Sequence, residues 1–149
     1  IGVHCLDTLR FILEDEVISV KSQLSPTPDT EKTEMTSILA LKFSKGITAS
    51  IYTSFESPFT RIFLEVVGET GIISVNNFTL SNFTASLKIE KGKNGILTET
   101  ITEKVHVPNI YEKEISHFSD CIINDEEPFI PGEEGLKNQL ILDEAIKTE

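Results

Sequence analysis

The amino-acid sequence predicts an α+β fold, with one open, mostly antiparallel β-sheet and helices packed on one of its faces. Three observations lead to this prediction. The chain starts with a helical segment, continues with strand-like segments joined by short connections, and finishes with two amphipathic helical segments. Short connections favour antiparallel pairing, because parallel neighbours need a long crossover. The length of 149 residues predicts a single domain over residues 1–149, large enough to bury a core.

Residues 1–13 are predicted to form the first helix. Its apolar residues recur at helical spacing and define one face: Val3, Leu6, Leu9 and Leu13. On another face lie His4 and Asp7, which are three residues apart and therefore neighbours on a helix. A helix that is fixed by one buried face is suited to placing a titratable pair of side chains in a binding cleft.

Seven strands are predicted after this helix, from the apolar alternation and from turn signals. They are residues 17–24, the two arms of a hairpin over 37–55, and residues 61–67, 72–75, 84–90 and 96–107. Turn residues separate several of them, at Lys45-Gly46, at Gly68–Gly71 and at Lys91–Gly95. The helices are expected to cover one face of the sheet that these Thr- and Ile-rich strands form. The other face is expected to contact a second subunit.

Two helices are predicted near the end of the sequence. The first has apolar residues at i, i+4, i+7 and i+11, namely Tyr111, Ile115, Phe118 and Ile122, and Asn109 with Glu112 resembles a capping box. The second is predicted over residues 133–148, with a broad apolar stripe of Leu136, Leu140, Ile141, Ala145 and Ile146. Both stripes are expected to pack on the sheet.

The composition excludes several classes of protein. A formal net charge of −11 disfavours binding to nucleic acid or to an anionic membrane, because both carry negative charge. The sequence has no apolar run of roughly 20 residues and no signal for secretion. Cys5 and Cys121 are far apart and are expected to be small buried side chains in a reducing compartment. The sequence therefore favours a cytoplasmic protein.

His4 is the best single candidate for a residue that transfers a proton, because histidine gains and loses a proton near neutral pH. A carboxylate at i+3, here Asp7, is able to orient the imidazole. From spacing alone, an ordinary helix start with a dipole-favourable Asp is the better interpretation. Arg10 is expected to form a structural ion pair. Arg61 is a weaker candidate for holding a phosphate or carboxylate.

The other histidines, His106 and His117, are expected at a strand edge and on a helix flank, and their spacing does not indicate a metal site.

The string Gly2-Val3-His4-Cys5-Leu6-Asp7-Thr8-Leu9-Arg10-Phe11 resembles the junction motif of the glucose–fructose oxidoreductase / inositol dehydrogenase family (Gfo/Idh/MocA). Three further segments resemble that family in the same order: the strand–turn–strand around Gly68 and Gly71, the helix that begins at Asn109, and Pro131–Leu136 with Asp143–Ile146. The resemblance implies the second, α+β domain of a two-domain dehydrogenase, without its Rossmann domain.

By this resemblance, His4 is the catalytic residue that exchanges a proton with a sugar or polyol hydroxyl while hydride passes to or from the nicotinamide. Asp7 corresponds to a substrate-binding residue of the same site. The family's Gly-x-Gly-x-x-Gly loop and its Glu-Lys-Pro segment do not occur in the sequence. NAD or NADP is therefore expected in a full-length protein with an N-terminal Rossmann domain. For this chain alone, no cofactor, no turnover and self-association through the open sheet face are expected.

Two alternatives remain open at this stage. One is a non-catalytic, sugar-responsive regulatory protein on the same fold, which has no need of His4. The other is a sheet module that only mediates protein association, which the start within a helix disfavours.

Overall fold

A computed structural model of the chain describes residues 2–29, 31–59 and 62–148. Within these ranges it confirms the α+β class and the antiparallel pairing. The elements are α1 (Gly2–Leu13), β1 (Val17–Ser25), β2 (Thr36–Phe43), β3 (Thr48–Ser54), β4 (Phe63–Val67), β5 (Gly71–Asn76), β6 (Phe83–Lys93), β7 (Ile96–Val107), α2 (Ile110–Asn124) and α3 (Gly132–Lys147). Each predicted helix and strand is present, and the described bounds differ from the predicted ones by a few residues at most.

The described strands form two antiparallel sheets, which corrects the expectation of one continuous sheet. The first has the order β1-β2-β3 and the second the order β4-β5-β6-β7. The chain forms two compact units, residues 1–58 with 129–149 (unit 1) and residues 59–128 (unit 2).

Unit 1 has the expected layers, with helices on one face of its sheet. Buried and exposed residues alternate along β2, and Leu39, Leu41 and Phe43 are buried. In unit 1, α1 contacts α3 and β3, and α3 contacts β1. The Ser22 hydroxyl in β1 also donates a hydrogen bond to the Ala145 carbonyl oxygen in α3. The core therefore lies between this sheet face and the two helices, while Ile38 and Tyr52 on the opposite face stay exposed.

Unit 2 is built around the long β6–β7 hairpin. Asn94 and Gly95 both have positive φ values, 55° and 75°, as a two-residue turn between twisted strands requires. Gly71 lies against the backbone of Glu90 on the neighbouring strand, so a Cβ at position 71 would clash. The predicted cap of α2 is confirmed, because the Asn109 side chain accepts a hydrogen bond from the Glu112 N–H at 3.3 Å.

The expected burial of the apolar stripe of α2 is wrong. Its four members, Tyr111, Ile115, Phe118 and Ile122, are all exposed, and Cys121 is the residue of α2 that is buried. In α3 the stripe is buried only in part, since Ala145 is buried whereas Leu136 and Leu140 are exposed. Helical periodicity identifies an apolar face, but burial depends on which element covers that face.

Candidate active-site residues on α1

His4 and Asp7 lie on α1, and the buried side chains of Leu6 and Leu9 fix that helix to unit 1. His4 is exposed. Its carbonyl oxygen accepts a hydrogen bond from the Thr8 hydroxyl at 2.7 Å. Among the described residues, no hydrogen bond involves the His4 imidazole. The ring is therefore free to meet a molecule that approaches α1 from solvent.

Asp7 is half-buried and is held by a residue that the sequence analysis did not single out. Its Oδ1 accepts a hydrogen bond from Nδ2 of Asn138 on α3, at 2.6 Å. Asn138 has 3% of its surface exposed. In this part of the chain the Asp7 carboxylate is thus fixed by α3, and no described hydrogen bond joins it to His4.

Arg10 completes the connection between α1 and α3. Its Nη1 donates to Oδ1 of Asn138 at 2.8 Å, and its Nη2 donates to Oε2 of Glu134 at 2.8 Å. Nε and Nη2 donate to the two carboxylate oxygens of Glu16, each at 2.9 Å. Arg10 has only 6% of its surface exposed, so the structure confirms the ion pair expected of it. The hydrogen bonds to Glu16 raise the pKa of the Arg10 guanidinium, although burial opposes this.

The carboxylates of this network are stabilised in their charged form. The hydrogen bonds from Arg10 hold the pKa of Glu16 below its ordinary value. Hydrogen bonds from Lys137, and next from Arg10, hold the pKa of Glu134 below its ordinary value. Lys137 donates to Glu134 at 2.7 Å and to Glu16 at 3.3 Å. The network is therefore an ionised, hydrogen-bonded cluster near neutral pH.

Asp15 anchors the β2–β3 hairpin beside the network. Burial alone would raise the pKa of Asp15, but hydrogen bonds from the Ser44 hydroxyl and from the N–H groups of Lys45 and Glu16 outweigh it and lower the pKa. In addition, the Ser44 N–H donates to the Glu16 carbonyl oxygen at 2.9 Å. The segment that follows α1 is thereby tied to the sheet of unit 1.

A cavity of about 310 Å³ opens beside Asp7 within unit 1. Carboxylates and the rings of Phe11 and Phe129 both line it. The two rings meet edge to face, with centroids 6.2 Å apart. Carboxylates accept hydrogen bonds from hydroxyl groups, and apolar rings pack against C–H groups, so the lining is compatible with a polyhydroxylated ligand. His4 is not among the lining residues.

The remaining candidates from the sequence are Arg61 and the two other histidines. Arg61 lies outside the described residues. In unit 2, His117 contacts Cys121, with its Nε2 3.7 Å from Sγ. The described part of the chain has no group of three or more His, Cys, Asp or Glu side chains placed to bind a metal ion. No helix in the described ranges is long and apolar enough to cross a membrane.

A family model described as the GFO/IDH/MocA C-terminal domain matches residues 1–74. The match includes α1 with His4, Asp7 and Arg10, and it extends into β5. The expected family is therefore confirmed for this part of the chain.

Solved structures match the fold over nearly the whole chain. A protein from Desulfitobacterium hafniense that is inferred to be an NADPH-dependent oxidoreductase has 24% identity and a TM-score of 0.81 over 99% of this chain and 44% of its own. A 3-ketoreductase from Actinomadura kijaniata, in complex with TDP-benzene and NADP, has 19% identity and a TM-score of 0.78 over 99% of this chain and 45% of its own.

An aldose–aldose oxidoreductase from Caulobacter crescentus, in complex with glycerol, has 20% identity and a TM-score of 0.76 over 99% of this chain and 43% of its own. The chain thus spans less than half the length of each of these three proteins.

Proposed function

We propose that this chain, which carries a C-terminal domain of the GFO/IDH/MocA family, forms the substrate side of an NAD(P)-dependent oxidoreductase that acts on a sugar or polyol hydroxyl. His4 is the proposed catalytic residue, and Asp7 is the proposed substrate-binding residue. The observation that carries the proposal is their common position on α1, where His4 is exposed and Asp7 lines the cavity.

The proposed place of the cofactor is outside this chain, because the described strands form no parallel βαβ unit. Every described strand pair is antiparallel, whereas a dinucleotide-binding half is built from parallel βαβ units. The glycines at positions 68 and 71 serve the β4–β5 turn, where the Gly68 N–H donates to the Gly71 carbonyl oxygen at 2.9 Å. The proposed cofactor is NAD or NADP, and the complex of the 3-ketoreductase with NADP supports this choice. In this proposal another part of the full-length protein binds the cofactor.

The proposed contribution of this chain to the reaction is the movement of a proton and the orientation of the substrate. Oxidation of a carbinol needs a base for the O–H proton, and the nicotinamide is the acceptor of the hydride. His4 accepts that proton at an imidazole nitrogen and returns it in the reverse reaction. Asp7 accepts a hydrogen bond from a neighbouring hydroxyl and so fixes which carbon is presented. One matched protein is in complex with glycerol and another with TDP-benzene and NADP, and these complexes support a small-molecule ligand for the full-length protein.

The test uses the full-length protein with NAD or NADP and a panel of D-glucose, D-xylose, myo-inositol and glycerol. His4→Ala should lower kcat by roughly a hundredfold or more, which is the usual size of a general-base contribution. Cofactor affinity should stay nearly unchanged. An equal loss of cofactor binding, or full turnover without His4, would contradict the assignment. Sugar binding without any turnover by the unchanged protein would instead favour a regulatory role.

Self-association through the uncovered face of the β1–β3 sheet is the second part of the proposal, with a second copy of this chain as the occupant. Tyr52 and Ile38 are cross-strand neighbours on that face and are 67% and 47% exposed. The three strands contain no Asp or Glu, although the chain has a net charge of −11. Two copies are therefore able to meet at this face without contact between carboxylates, and its charged residues are Lys21 and Lys42.

Sedimentation of the chain tests this interface. Tyr52→Glu should shift the chain toward the monomer, because it places a carboxylate in a face that has none. Tyr111→Glu on the exposed face of α2 is the matched control and should leave the association unchanged. A monomer before any substitution would overturn the proposal.

A cytoplasmic location is also proposed, since Cys5 and Cys121 are both free thiols.

A further inference from the structure

Asn138 is a buried polar side chain on α3. Its neighbours Lys137 and Gln139 are exposed, whereas Asn138 is 3% exposed. A buried amide without hydrogen bonds is costly, so such a residue is retained where each end of the amide has a partner. Both ends of Asn138 have one, and the two partners are side chains of α1.

The chemistry of the partners determines the orientation of the amide. Arg10 has only donors, so its Nη1, at 2.8 Å, must face the oxygen Oδ1 of Asn138. The amide nitrogen Nδ2 then faces Asp7 Oδ1 at 2.6 Å, and an ionised carboxylate only accepts hydrogen bonds. The guanidinium of Arg10 is itself fixed by Glu16 and Glu134. A continuous chain of charge-assisted hydrogen bonds therefore ends on Asp7.

We propose that Asn138 is a positioning residue, which holds the Asp7 carboxylate in the orientation that receives the substrate hydroxyl. This inference rests on the proposed role of Asp7. A carboxylate has about four lone-pair positions, so the hydrogen bond from Asn138 leaves acceptor capacity for a substrate. Because Asp7 is already ordered in the free protein, substrate binding does not have to order it. The structure thus adds a residue of α3 to the site that α1 presents.

The experiment replaces the amide donor by an acceptor in the full-length protein. Asn138→Asp keeps the size of the side chain and the acceptor for Arg10, but it places a second carboxylate beside Asp7. With the compound of the panel that the unchanged protein turns over, the KM should rise roughly tenfold or more, while kcat stays within about twofold of the value for the unchanged protein. Gln139→Glu is the matched control, because Gln139 donates a similar bond to Asp143 at 2.8 Å on the exposed side of α3. Its KM should not change.

A double-mutant cycle separates positioning from a purely structural role. In the Asp7→Ala background, Asn138→Asp and the smaller Asn138→Ala should cause no further rise in KM. The same rise in both backgrounds, or no rise in either, would overturn the inference. If Asn138→Asp does not fold, Asn138→Ala alone carries the cycle.

A measurement without turnover tests the contact in the 149-residue chain. The side-chain amide protons of Asn138 should exchange slowly with water, and Asp7→Ala should accelerate that exchange and shift their NMR signals. Unchanged signals would overturn the inference. Failure of the His4→Ala test would contradict the proposed reaction but would leave this result standing, so the two failures are distinguishable.

Discussion

Arg10 and Glu16 form a two-point ion pair in which two guanidinium nitrogens each donate to a different carboxylate oxygen at 2.9 Å. Arg10 lies in the last turn of α1, and Glu16 lies just before β1. The pair closes the corner between helix and strand, and Glu134 joins it from α3. One buried guanidinium thereby connects the helix that carries His4 and Asp7 to two other parts of unit 1.

Removal of this guanidinium is expected to destabilise unit 1. Arg10→Ala should lower the free energy of unfolding by about 2–3 kcal/mol, because Asn138, Glu16 and Glu134 all lose a charged donor. Arg10→Lys should recover only part of this, since an ammonium does not match the two oxygens of a carboxylate. Urea unfolding of the chain measures both. Lys137→Ala, which removes the exposed member of the network, should cost clearly less than Arg10→Ala, because exposed ion pairs contribute little. An equal cost for Lys137 and Arg10 would contradict the prediction.

Acid is expected to weaken the same network. The pKa values of Glu16 and Glu134 are lowered by hydrogen bonds from Arg10 and Lys137, and the pKa of Asp15 is lowered by hydrogen bonds that outweigh its burial. Unfolded carboxyl groups titrate near pH 4. Their stabilisation is therefore complete above that pH and is lost as the pH falls toward the lower folded-state values. The free energy of unfolding should decrease between about pH 5 and pH 2.

Glu16→Gln tests the origin of this acid sensitivity. The variant should be less stable at pH 7, and its unfolding free energy should fall less steeply toward acid pH, because one of the shifted carboxyls is gone. Urea unfolding at several pH values measures the slope. A slope equal to that of the unchanged chain would show that Glu16 does not contribute.

Local sequence patterns predicted most of the secondary structure because the signals are themselves local. The Asn94-Gly95 turn, the Asn109 cap and the alternation in β2 each fix an element from within a few residues. The division into two sheets and the exposure of the stripe on α2 were not predicted. Both depend on which surfaces meet, and that information is spread over the whole chain.

The candidate site was predicted only on the side of α1. His4, Asp7 and Arg10 share one helix, so their spacing is visible in the sequence. Asn138 is more than a hundred residues away from Asp7 in the sequence. Its spacing of three and seven residues from Ile141 and Ala145 places it on the apolar face of α3, but a polar residue type does not by itself indicate burial. Its role follows only from the contact between α3 and α1.

The core of unit 1 should be sensitive to the loss of a single ring. Phe43 is fully buried at the end of β2, and Phe43→Ala should cost about 3–5 kcal/mol through lost burial and the cavity left behind. Phe55, which follows β3, is 66% exposed, so Phe55→Ala is expected to cost less than about 1 kcal/mol. Thermal and urea unfolding of the two variants give the comparison. Similar losses would contradict the layer arrangement described for unit 1.

Two glycine-to-alanine substitutions should change stability in opposite directions. Gly95 has a φ of 75° in the β6–β7 turn, and among the described residues no atom beyond its two chain neighbours lies within 4 Å of an added Cβ. Gly95→Ala should therefore cost about 1 kcal/mol through backbone strain alone. Gly135 lies in the first turns of α3 with the same open space, and its backbone is helical. Gly135→Ala should stabilise the chain by about 0.5–1 kcal/mol, because alanine restricts the unfolded chain and favours the helix. Packing does not differ between the two positions, so only the backbone conformation separates them. If both variants are stabilised, or both are destabilised, the backbone conformation described for one of the two positions is contradicted.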